Sequence, residues 1–402
     1  MRLKYLLNER NTRTTTGNET LLSVSVHYGV VPSNELRQRT MQADSLVGYK
    51  LVDKGDMIFN KLNPNLARFG YSGYGGITSP DFAVYYPKEP VRIDIRFLVY
   101  LIRTPTYVER IKQLTSGVGE GFTRLYSDEL FNISIGLPPL QEQRRIADYL
   151  DERCDAIDAA KKTIEDEVSA LQRLRATSIL KAVTKGLDDG ASMRDSGVQW
   201  IGFIPESWDT PRFKTVYRRV KRTGYPDEEL LSVYLNHGVI RFSDDDGVRV
   251  HKTSSDTSDY QLVFPGELVM NNQQAWRGSV GVSLLRGIVS PAYHVYRAID
   301  SNVINARYAN YMFRSCMVSA YELCSHGVGT IQRNISSEEF GYELIPLPPI
   351  DDQRRIADYL DKRCAAIDSV IDIRTRQLDR LEDYRKALIY AYVTGKKEVP
   401  AS

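Results

Sequence analysis

Short runs of alternating apolar and polar residues fill two stretches of the chain, residues 1–140 and 200–350. Examples are LLSVSV and FAVYYP in the first stretch and ELVMNN and YHVYRAI in the second, separated by Gly, Pro, Asn and Asp. A period of two is typical of β-strands, and the separators are turn residues. The segments IRFLVYLIR and ARYANYMFR fit short helices instead. We therefore predict two modules of mixed α/β structure, an α+β fold.

Two other stretches, residues 141–185 and 351–397, have a helical period. Apolar or small residues recur there at heptad spacing: Leu150, Cys154, Ile157, Ile164, Val168 and Leu171, then Leu360, Cys364, Ile367, Ile371, Leu378, Leu381 and Leu388. Four cations interrupt these stripes, namely Lys161, Arg175, Arg374 and Arg385. Acidic residues open each stretch, and Gly186 or Gly395 closes it, as at helix ends. Each helix would be about 65 Å long.

The chain contains an internal duplication. LPPLQEQRRIADYLDERCDAID begins at Leu137 and LPPIDDQRRIADYLDKRCAAID at Leu347, an offset of 210. Fainter matches upstream, such as GDMIFN against GELVMN, keep offsets between 209 and 211. A period this long indicates duplication of a whole domain. We predict a module over 1–140, a helix over 141–185, a linker over 186–199, a second module over 200–350 and a second helix over 351–397.

An exposed apolar stripe as long as each predicted helix needs a partner, and the other copy is the simplest one. The polar, Gly-rich link GLDDGASMRDSGVQWIG lets the chain turn back, so we expect the helices to run antiparallel. The predicted architecture is two tandem modules, each followed by a long helix, with the helices forming an antiparallel coiled coil. Its approximate two-fold symmetry suits duplex DNA, in which one turn is about 34 Å.

Composition narrows the class of protein. A chain of 402 residues with 42% hydrophobic and 26% charged residues is typical of a folded protein of two or more domains. It lacks an apolar run of about 20 residues, a secretion signal and a disulfide framework, so we expect a cytoplasmic location. With a net charge of +2, a DNA-binding chain must concentrate its cations locally or use those of partners.

Polar runs directly after a strand are candidates for reading DNA bases. Asn and Gln side chains match the donor and acceptor pattern of adenine, and Arg and Lys match guanine. The first module offers Asn60, Lys61, Asn63, Asn65 and Arg68, and the second offers Asn271, Asn272, Gln273, Gln274 and Arg277. The alternative is that each run is an ordinary solvated turn.

Basic residues elsewhere are candidates for DNA contacts. The densest cluster is Arg218, Arg219, Lys221 and Arg222, and a weaker set in the first module is Arg10, Arg13, Arg37 and Arg39. Two further candidates follow a Gly-Val-Gly turn: Arg124 in the first module, and Gln332, Arg333 and Asn334 in the second. The alternatives are solvated charge runs and simple tight turns.

The helix exteriors favour a protein partner. Residues 141–185 hold nine basic and nine acidic groups, a balance that suits docking better than gripping DNA. Nine consecutive residues near each helix start, QRRIADYLD, are identical in the two copies, and five of them are docking candidates: Gln143, Arg144, Arg145, Asp148 and Tyr149, and Gln353, Arg354, Arg355, Asp358 and Tyr359. They predict two equivalent docking sites for one kind of partner. The alternative is that they shape the junction between module and helix.

The repeated pattern LPP-x-x-x-Q-x-x-I-A-x-x-L and the segment DSGVQWIGFIPESW resemble the conserved regions of type I restriction-modification specificity (S) subunits. The resemblance covers nearly the whole chain, although the first module has no copy of the second segment. It implies that each module is a target-recognition domain for one part of an asymmetric DNA sequence. It also implies that the helices space the modules and dock two methyltransferase (M) subunits, in a complex with restriction and translocase (R) subunits.

Motifs for catalysis are absent from the sequence. There is no P-loop, no glycine fingerprint for a nucleotide or S-adenosylmethionine, no Pro-Pro-aromatic turn, and no metal-ligand spacing of His or Cys. We expect a non-catalytic, metal-free chain, and the resemblance implies that S-adenosylmethionine, ATP and Mg bind to partner subunits. Two alternatives stay open at this point: a coiled-coil scaffold with protein- or glycan-binding modules, and a stand-alone nuclease.

Overall fold

The computed structural model describes residues 1–25, 29–35, 45–62, 64, 68–117, 123–235, 238–244, 256–327 and 333–400. The chain forms two compact units: Met1–Glu165 with Arg376–Ser402, and Asp166–Thr375. Each unit contains one module and a part of both long helices. None of the helices in the described ranges is long and apolar enough to cross a membrane.

The module of the first unit contains ten strands and three helices in its described part. They are β1 (Leu7–Arg10), β2 (Leu22–Ser25), β3 (Gly29–Pro32), β4 (Lys50–Val52), β5 (Met57–Asn60), β6 (Phe69–Tyr71), β7 (Gly76–Thr78), β8 (Phe82–Pro87), α1 (Ile95–Ile102), α2 (Pro105–Gln113), β9 (Ser116–Gly117), β10 (Thr123–Arg124) and α3 (Ser127–Phe131). An antiparallel sheet has the order β1-β8-β5-β6. The ribbons β2-β3, β4-β7 and β9-β10 complete the module.

The long helix α4 (Leu140–Lys185) leads into the second unit. Its further elements are β11 (Met193–Asp195), β12 (Phe203–Pro205), α5 (Phe213–Val216), β13 (Tyr217–Val220), β14 (Leu231–Tyr234), β15 (Gly238–Arg241), β16 (Gln261–Val263), β17 (Leu268–Asn271), β18 (Val280–Val282), β19 (Gly287–Val289), β20 (Tyr293–Ala298), α6 (Ala306–Ser315), α7 (Val318–Leu323), β21 (Ser325–His326), β22 (Asn334–Ile335), α8 (Ser337–Tyr342) and α9 (Ile350–Val393). The sheet β13-β20-β17-β18 and the ribbons β14-β15, β16-β19 and β21-β22 repeat the first module. The pair β11-β12 is additional.

Each central sheet is buried on both faces. In β5, Met57 and Phe59 join the large core that includes α1, whereas Ile58 packs with Leu22 and Val30 under the ribbon β2-β3. The same split occurs in β17, with Leu268 and Met270 on one side and Val269 on the other. The alternation expected from the sequence therefore does not hold in β5 and β17, whose first three residues are all apolar and all buried because both faces of the sheet are covered.

The first turn of α1 is fixed by a side-chain cap. The Asp94 carboxylate accepts the backbone N–H groups of Arg96 and Phe97, at 2.9 and 3.3 Å. Asn305 caps α6 in the same way through Arg307 and Tyr308. Because a cap satisfies N–H groups that have no partner inside the helix, both stretches that fit short helices do form them.

The long helices run antiparallel within each unit. In the first unit, Lys161 pairs with Glu382 at 2.7 Å and Asp158 with Arg385 at 2.5 Å. In the second, Glu167 pairs with Arg374 and Arg175 with Asp368, both at 2.9 Å. The partner number falls as the residue number rises, which is the signature of antiparallel pairing. All four cations that interrupt the apolar stripes therefore make cross-helix ion pairs, and the predicted fold class is confirmed.

Candidate nucleic-acid interface

The polar run after β17 lies beside β22. The backbone N–H of Ile335 donates to the carbonyl of Asn272 at 3.1 Å, and the Asn272 side-chain amide donates to Oδ1 of Asn334 at 3.3 Å. The sequence suggested these two stretches separately, and the fold brings them together. We call residues 271–277 with Arg333 and Asn334 the module 2 polar surface.

A tryptophan of the module 2 polar surface contacts two arginines. The guanidinium groups of Arg277 and Arg333 lie 4.6 and 5.2 Å from the ring centroid of Trp276. The indole N–H donates to the carbonyl of Gln273 at 3.2 Å, which fixes the ring. Gln273 and Gln274 are exposed. Directed donors and acceptors next to cations are the chemistry that reads base edges and holds phosphates.

The first module has an equivalent arrangement after β5. The backbone N–H of Leu125 donates to the carbonyl of Lys61 at 3.0 Å. Leu62 and Arg124 form an isolated antiparallel β-bridge. The Asn60 carboxamide oxygen accepts the N–H of Leu62 at 2.9 Å, which holds the turn. We call Asn60–Leu62, Arg68, Thr123 and Arg124 the module 1 polar surface. The candidates Arg37, Arg39, Asn63, Asn65 and Gln332 lie outside the described residues.

Hydroxyl groups behind the module 1 polar surface connect to a carboxylate. The Tyr85 and Ser127 hydroxyls are 2.9 Å apart, and Ser127 donates to Glu9 at 2.6 Å. The ammonium groups of Lys50 and Lys61 lie 3.2 and 3.7 Å from Glu9. Burial by itself raises the pKa of Glu9, but the Ser127 hydroxyl and both lysines together hold it below its ordinary value. Burial and the charge of Lys50 lower the pKa of Lys61.

The equivalent position behind the module 2 polar surface carries the opposite charge. The Tyr296 hydroxyl donates to Ser337 at 3.2 Å, and Ser337 contacts Nδ1 of His294 at 3.0 Å. Arg219 lies opposite Tyr296 in the sheet, where Glu9 lies opposite Tyr85 in the first module. Burial and the nearby Arg219 lower the pKa of His294 to about 4. The contacts of this histidine and of both serines depend on strand register, so the sequence alone did not indicate them.

Two of the predicted DNA-contacting arginines are used inside their modules. Arg10 pairs with Asp56 at 2.9 Å, and Arg222 donates two hydrogen bonds to Glu267 at 2.8 and 2.9 Å. The two acids are equivalent in the duplication, but Arg10 lies in β1 and Arg222 lies two residues beyond β13. The pairs hold these segments to the turns before β5 and β17. These guanidinium groups hold carboxylates in this structure, so we leave Arg10 and Arg222 out of the proposal below.

The other basic candidates are accessible. Arg13 is exposed and donates to the carbonyl of Gly48 at 2.8 Å. Arg218, Arg219 and Lys221 are exposed at the end of the edge strand β13 and just beyond it. Because neighbouring side chains of a strand point to opposite faces, the side chains of Arg218 and Arg219 lie on different faces of the sheet.

The two glutamines proposed for partner docking are buried, with 1% of Gln143 and none of Gln353 exposed. The Gln143 amide donates to the carbonyls of Arg92 and Pro138, and its oxygen accepts the N–H of Asp94. Gln353 makes the same three bonds, to Val303, Pro348 and Asn305. Each glutamine therefore attaches its long helix to the N-terminal end of the short module helix. For these two residues, this agrees with the alternative that the identical residues shape the junction between module and helix.

The remaining docking candidates divide into two groups. Asp148 and Asp358 make ion pairs with Arg96 and Arg307 of the modules, at 2.7 and 2.8 Å. Tyr149 packs against Tyr392, with ring centroids 4.8 Å apart. The other five are exposed and point away from the modules' cores: Arg144, Arg145, Arg354, Arg355 and Tyr359. These five retain the accessibility that docking requires.

Metal-binding clusters are absent from the described part of the chain: it contains no group of three or more His, Cys, Asp or Glu side chains arranged to hold an ion. All four cysteines are free and buried. Burial raises the pKa of the Cys316 and Cys324 thiols to about 12, which keeps them protonated and unreactive.

Comparison with known proteins identifies the duplicated unit. A family model described as the type I restriction modification DNA specificity domain matches residues 36–170 and again residues 250–383. The chain is 25% identical to the type I restriction enzyme MjaVIII specificity subunit of Methanocaldococcus jannaschii, covering 82% of this chain and 76% of that one. It is 22% identical to the EcoKI specificity subunit of Escherichia coli K12, covering 75% and 65%.

A solved structure has the same fold. It comes from a study of complex assembly and conformational transition of the type I R-M system, and superposes with a TM-score of 0.67 at 16% identity, covering 98% of this chain and 96% of that one. The two family matches coincide with the two copies of the duplication and together span more than half of the sequence. This chain belongs to the family of type I restriction-modification specificity subunits.

Proposed function

We propose that the chain selects the DNA site of a type I complex by reading an asymmetric, two-part target, one part with each module. The observation that carries this proposal is the pair of polar surfaces. Each is built on the same strands at the same place in its module, and each presents different side chains. Two like frameworks with unlike surfaces are what a two-part, asymmetric target requires.

The side chains of the polar surfaces suggest how bases are read. In module 2, Gln273 and Gln274 are exposed amides that match the adenine edge, and Arg277 matches guanine. In module 1, Arg68 is exposed, and Lys61 and Arg124 lie half-buried beside it. Arg13, Arg218, Arg219 and Lys221 supply contacts to phosphates, which position the protein without reading sequence.

The five exposed helix residues defined above form two docking sites, Arg144 with Arg145, and Arg354 with Arg355 and Tyr359. Their equivalence in the duplication fits two copies of one partner, the M subunit. The chain itself is non-catalytic in this proposal: S-adenosylmethionine, ATP and Mg bind to the M and R subunits. R subunits join the same complex.

The experiment is to coexpress the chain with its M subunit and map methylated adenines genome-wide. The proposal predicts one split motif with two specified parts, lost when this chain is deleted. Reversing the charge of Arg354 and Arg355 together is expected to prevent assembly with M while the chain stays folded. The matched control reverses Lys162 and Arg173, exposed cations in the middle of α4. Methylation that persists without the chain would contradict the proposal.

A further inference from the structure

Two arginines at equivalent positions of the modules have no carboxylate partner among the described residues. Arg103 follows the last residue of α1, and Arg314 lies in the last turn of α6. In both side chains Nε is buried without a hydrogen-bond partner. Ion pairs are common elsewhere in the modules, and Arg96 and Arg307 at the other end of the same helices each have two acidic partners on the long helices. The arginine at this position therefore lacks a carboxylate partner in both modules, among the described residues.

Both arginines lie against backbone next to the polar surfaces. Arg103 donates to the carbonyl of Phe69, the residue directly after Arg68 of the module 1 polar surface. Arg314 donates to the carbonyl of Leu235 at 3.4 Å and lies against Gly238 at the start of β15. The helix that follows Arg314, α7, packs against the turn Ala275–Arg277 of the module 2 polar surface. Arg103 thus lies at the edge of the module 1 polar surface, and Arg314 lies in the helix that leads into the one packed against the module 2 polar surface.

A second cation from a long helix lies near each arginine. Burial and the charge of Arg385 lower the pKa of Arg103 to about 10, and burial and the charge of Arg175 lower that of Arg314. Arg385 and Arg175 are themselves equivalent in the duplication. Each of them pairs with one acid, Asp158 or Asp368. Arg385 and Arg175 each have their own carboxylate, whereas Arg103 and Arg314 have none among the described residues.

An uncompensated, half-buried guanidinium destabilises a fold, because the charge loses water without gaining an anion. An anion from outside the chain would compensate this charge, and the same uncompensated arginine in both modules fits such an anion. Arginine holds phosphate through its planar set of N–H donors. We propose that Arg103 and Arg314 form two equivalent sites for a phosphate of the DNA backbone. This inference rests on the proposed function, and it adds contacts that neither polar surface contains.

The test measures how DNA affinity depends on salt. The chain is assembled with M subunits, and binding to a duplex with the mapped target and to one without it is measured over a series of salt concentrations. Each phosphate contact contributes about 0.9 to the slope of log affinity against log salt. Arg103→Gln and Arg314→Gln are each expected to reduce the slope by about one, and the double variant by about two. The methylated motif stays unchanged, because phosphate contacts carry no sequence information.

Matched controls remove the same charge elsewhere. Arg110→Gln on α2 and Arg286→Gln before β19 change exposed arginines of the two modules and are expected to leave the slope as it is. Arg103→Lys and Arg314→Lys keep a point charge and are expected to restore most of the slope. A slope that is the same in the Gln variants as in the controls would overturn the inference.

A second measurement separates a DNA contact from a packing role. Arg103→Met and Arg314→Met keep the length of the side chain and remove the uncompensated charge, so melting temperatures equal to or above the parent are expected. A large drop in melting temperature with an unchanged salt slope would assign both arginines to the fold and overturn the inference. If the parent complex prefers no DNA sequence at all, the proposed function fails first. If it selects its target and the slopes do not move, only this inference fails.

Discussion

The two modules share one framework and differ in the side chains that it presents. Tyr85 with Ser127 and Tyr296 with Ser337 make the same hydroxyl contact at the same place. Opposite each tyrosine, however, the first module has Glu9 and the second has Arg219. A reversal of charge at this equivalent strand position leaves strand order and register unchanged.

This difference separates two kinds of residue. Gln143 and Gln353 are identical in the copies, are buried, and make the same three hydrogen bonds. Lys61 and Asn272 occupy equivalent positions after β5 and β17 and differ in charge. Identity between the copies at buried positions therefore marks the framework that positions a polar surface, and the residues that differ within the polar surfaces mark what each module presents.

The largest effect is expected from the shared framework. Gln143→Ala and Gln353→Ala each leave one buried N–H and two carbonyls without partners, which is expected to cost about 4 kcal/mol of unfolding free energy. Denaturant unfolding of the two variants measures this, and we expect equal losses in the two units. Gln141→Ala, at an exposed position on the same helix, is the control. Losses that match this control would show that the glutamines do not anchor the helices.

A pH-dependent difference between the modules is expected next. The pKa of His294 is lowered to about 4 in the folded state, so the unfolded state binds its proton first as pH falls below 6.5. The second unit is therefore expected to lose roughly 3 kcal/mol between pH 6.5 and 4 from this group. His294→Ala, which copies Ala83 of the first module, is expected to remove that part of the dependence.

Tryptophan fluorescence measures this change in one unit. All three tryptophans of the chain, at positions 200, 208 and 276, belong to the second unit. Unfolding followed by their emission at several pH values gives the stability of that unit separately. An identical pH profile for the parent and His294→Ala would contradict the assignment of His294 as a buried neutral group.

The smallest effects are expected along the helices. The ion pair of Glu382 with Lys161 in the first unit is more buried than that of Glu167 with Arg374 in the second. We expect Glu382→Gln to cost about 1 kcal/mol and Glu167→Gln less than about 0.5 kcal/mol, since exposed pairs contribute little. Denaturant unfolding at low and high salt compares them. Equal costs would show that burial does not distinguish the pairs.

Much of the fold was predictable, because its signals are local or repeated. The offset of 210 between Leu137 and Leu347 defined the copies, and heptad spacing identified the helices. The partners of the interrupting cations were not predictable. Arg385 and Asp158 are far apart in the chain, and their pairing follows from the antiparallel register.

The candidate site was predictable only in part. The polar runs after β5 and β17 follow from strand ends, but the approach of Arg333 to Trp276 depends on tertiary packing. The internal use of Arg10 and Arg222 had only a faint signal: their acidic partners Asp56 and Glu267 are 211 residues apart, but the arginines are 212 apart, outside the range of offsets of the duplication. Arg103 and Arg314 are 211 residues apart, so the offset of the duplication could have singled them out.

The central claim is that each module reads its own part of the target, and one measurement tests it directly. Methylated motifs are mapped for the parent complex, for Gln273→Ala with Arg277→Ala in module 2, and for Arg68→Ala with Lys61→Ala in module 1. Each lost base contact is expected to weaken discrimination by about 1–3 kcal/mol at the positions it reads. We predict that each double variant relaxes one part of the motif, a different part for each module, and leaves the other part intact. If both variants relax the same part, or neither changes the motif, the modules do not divide the target between them.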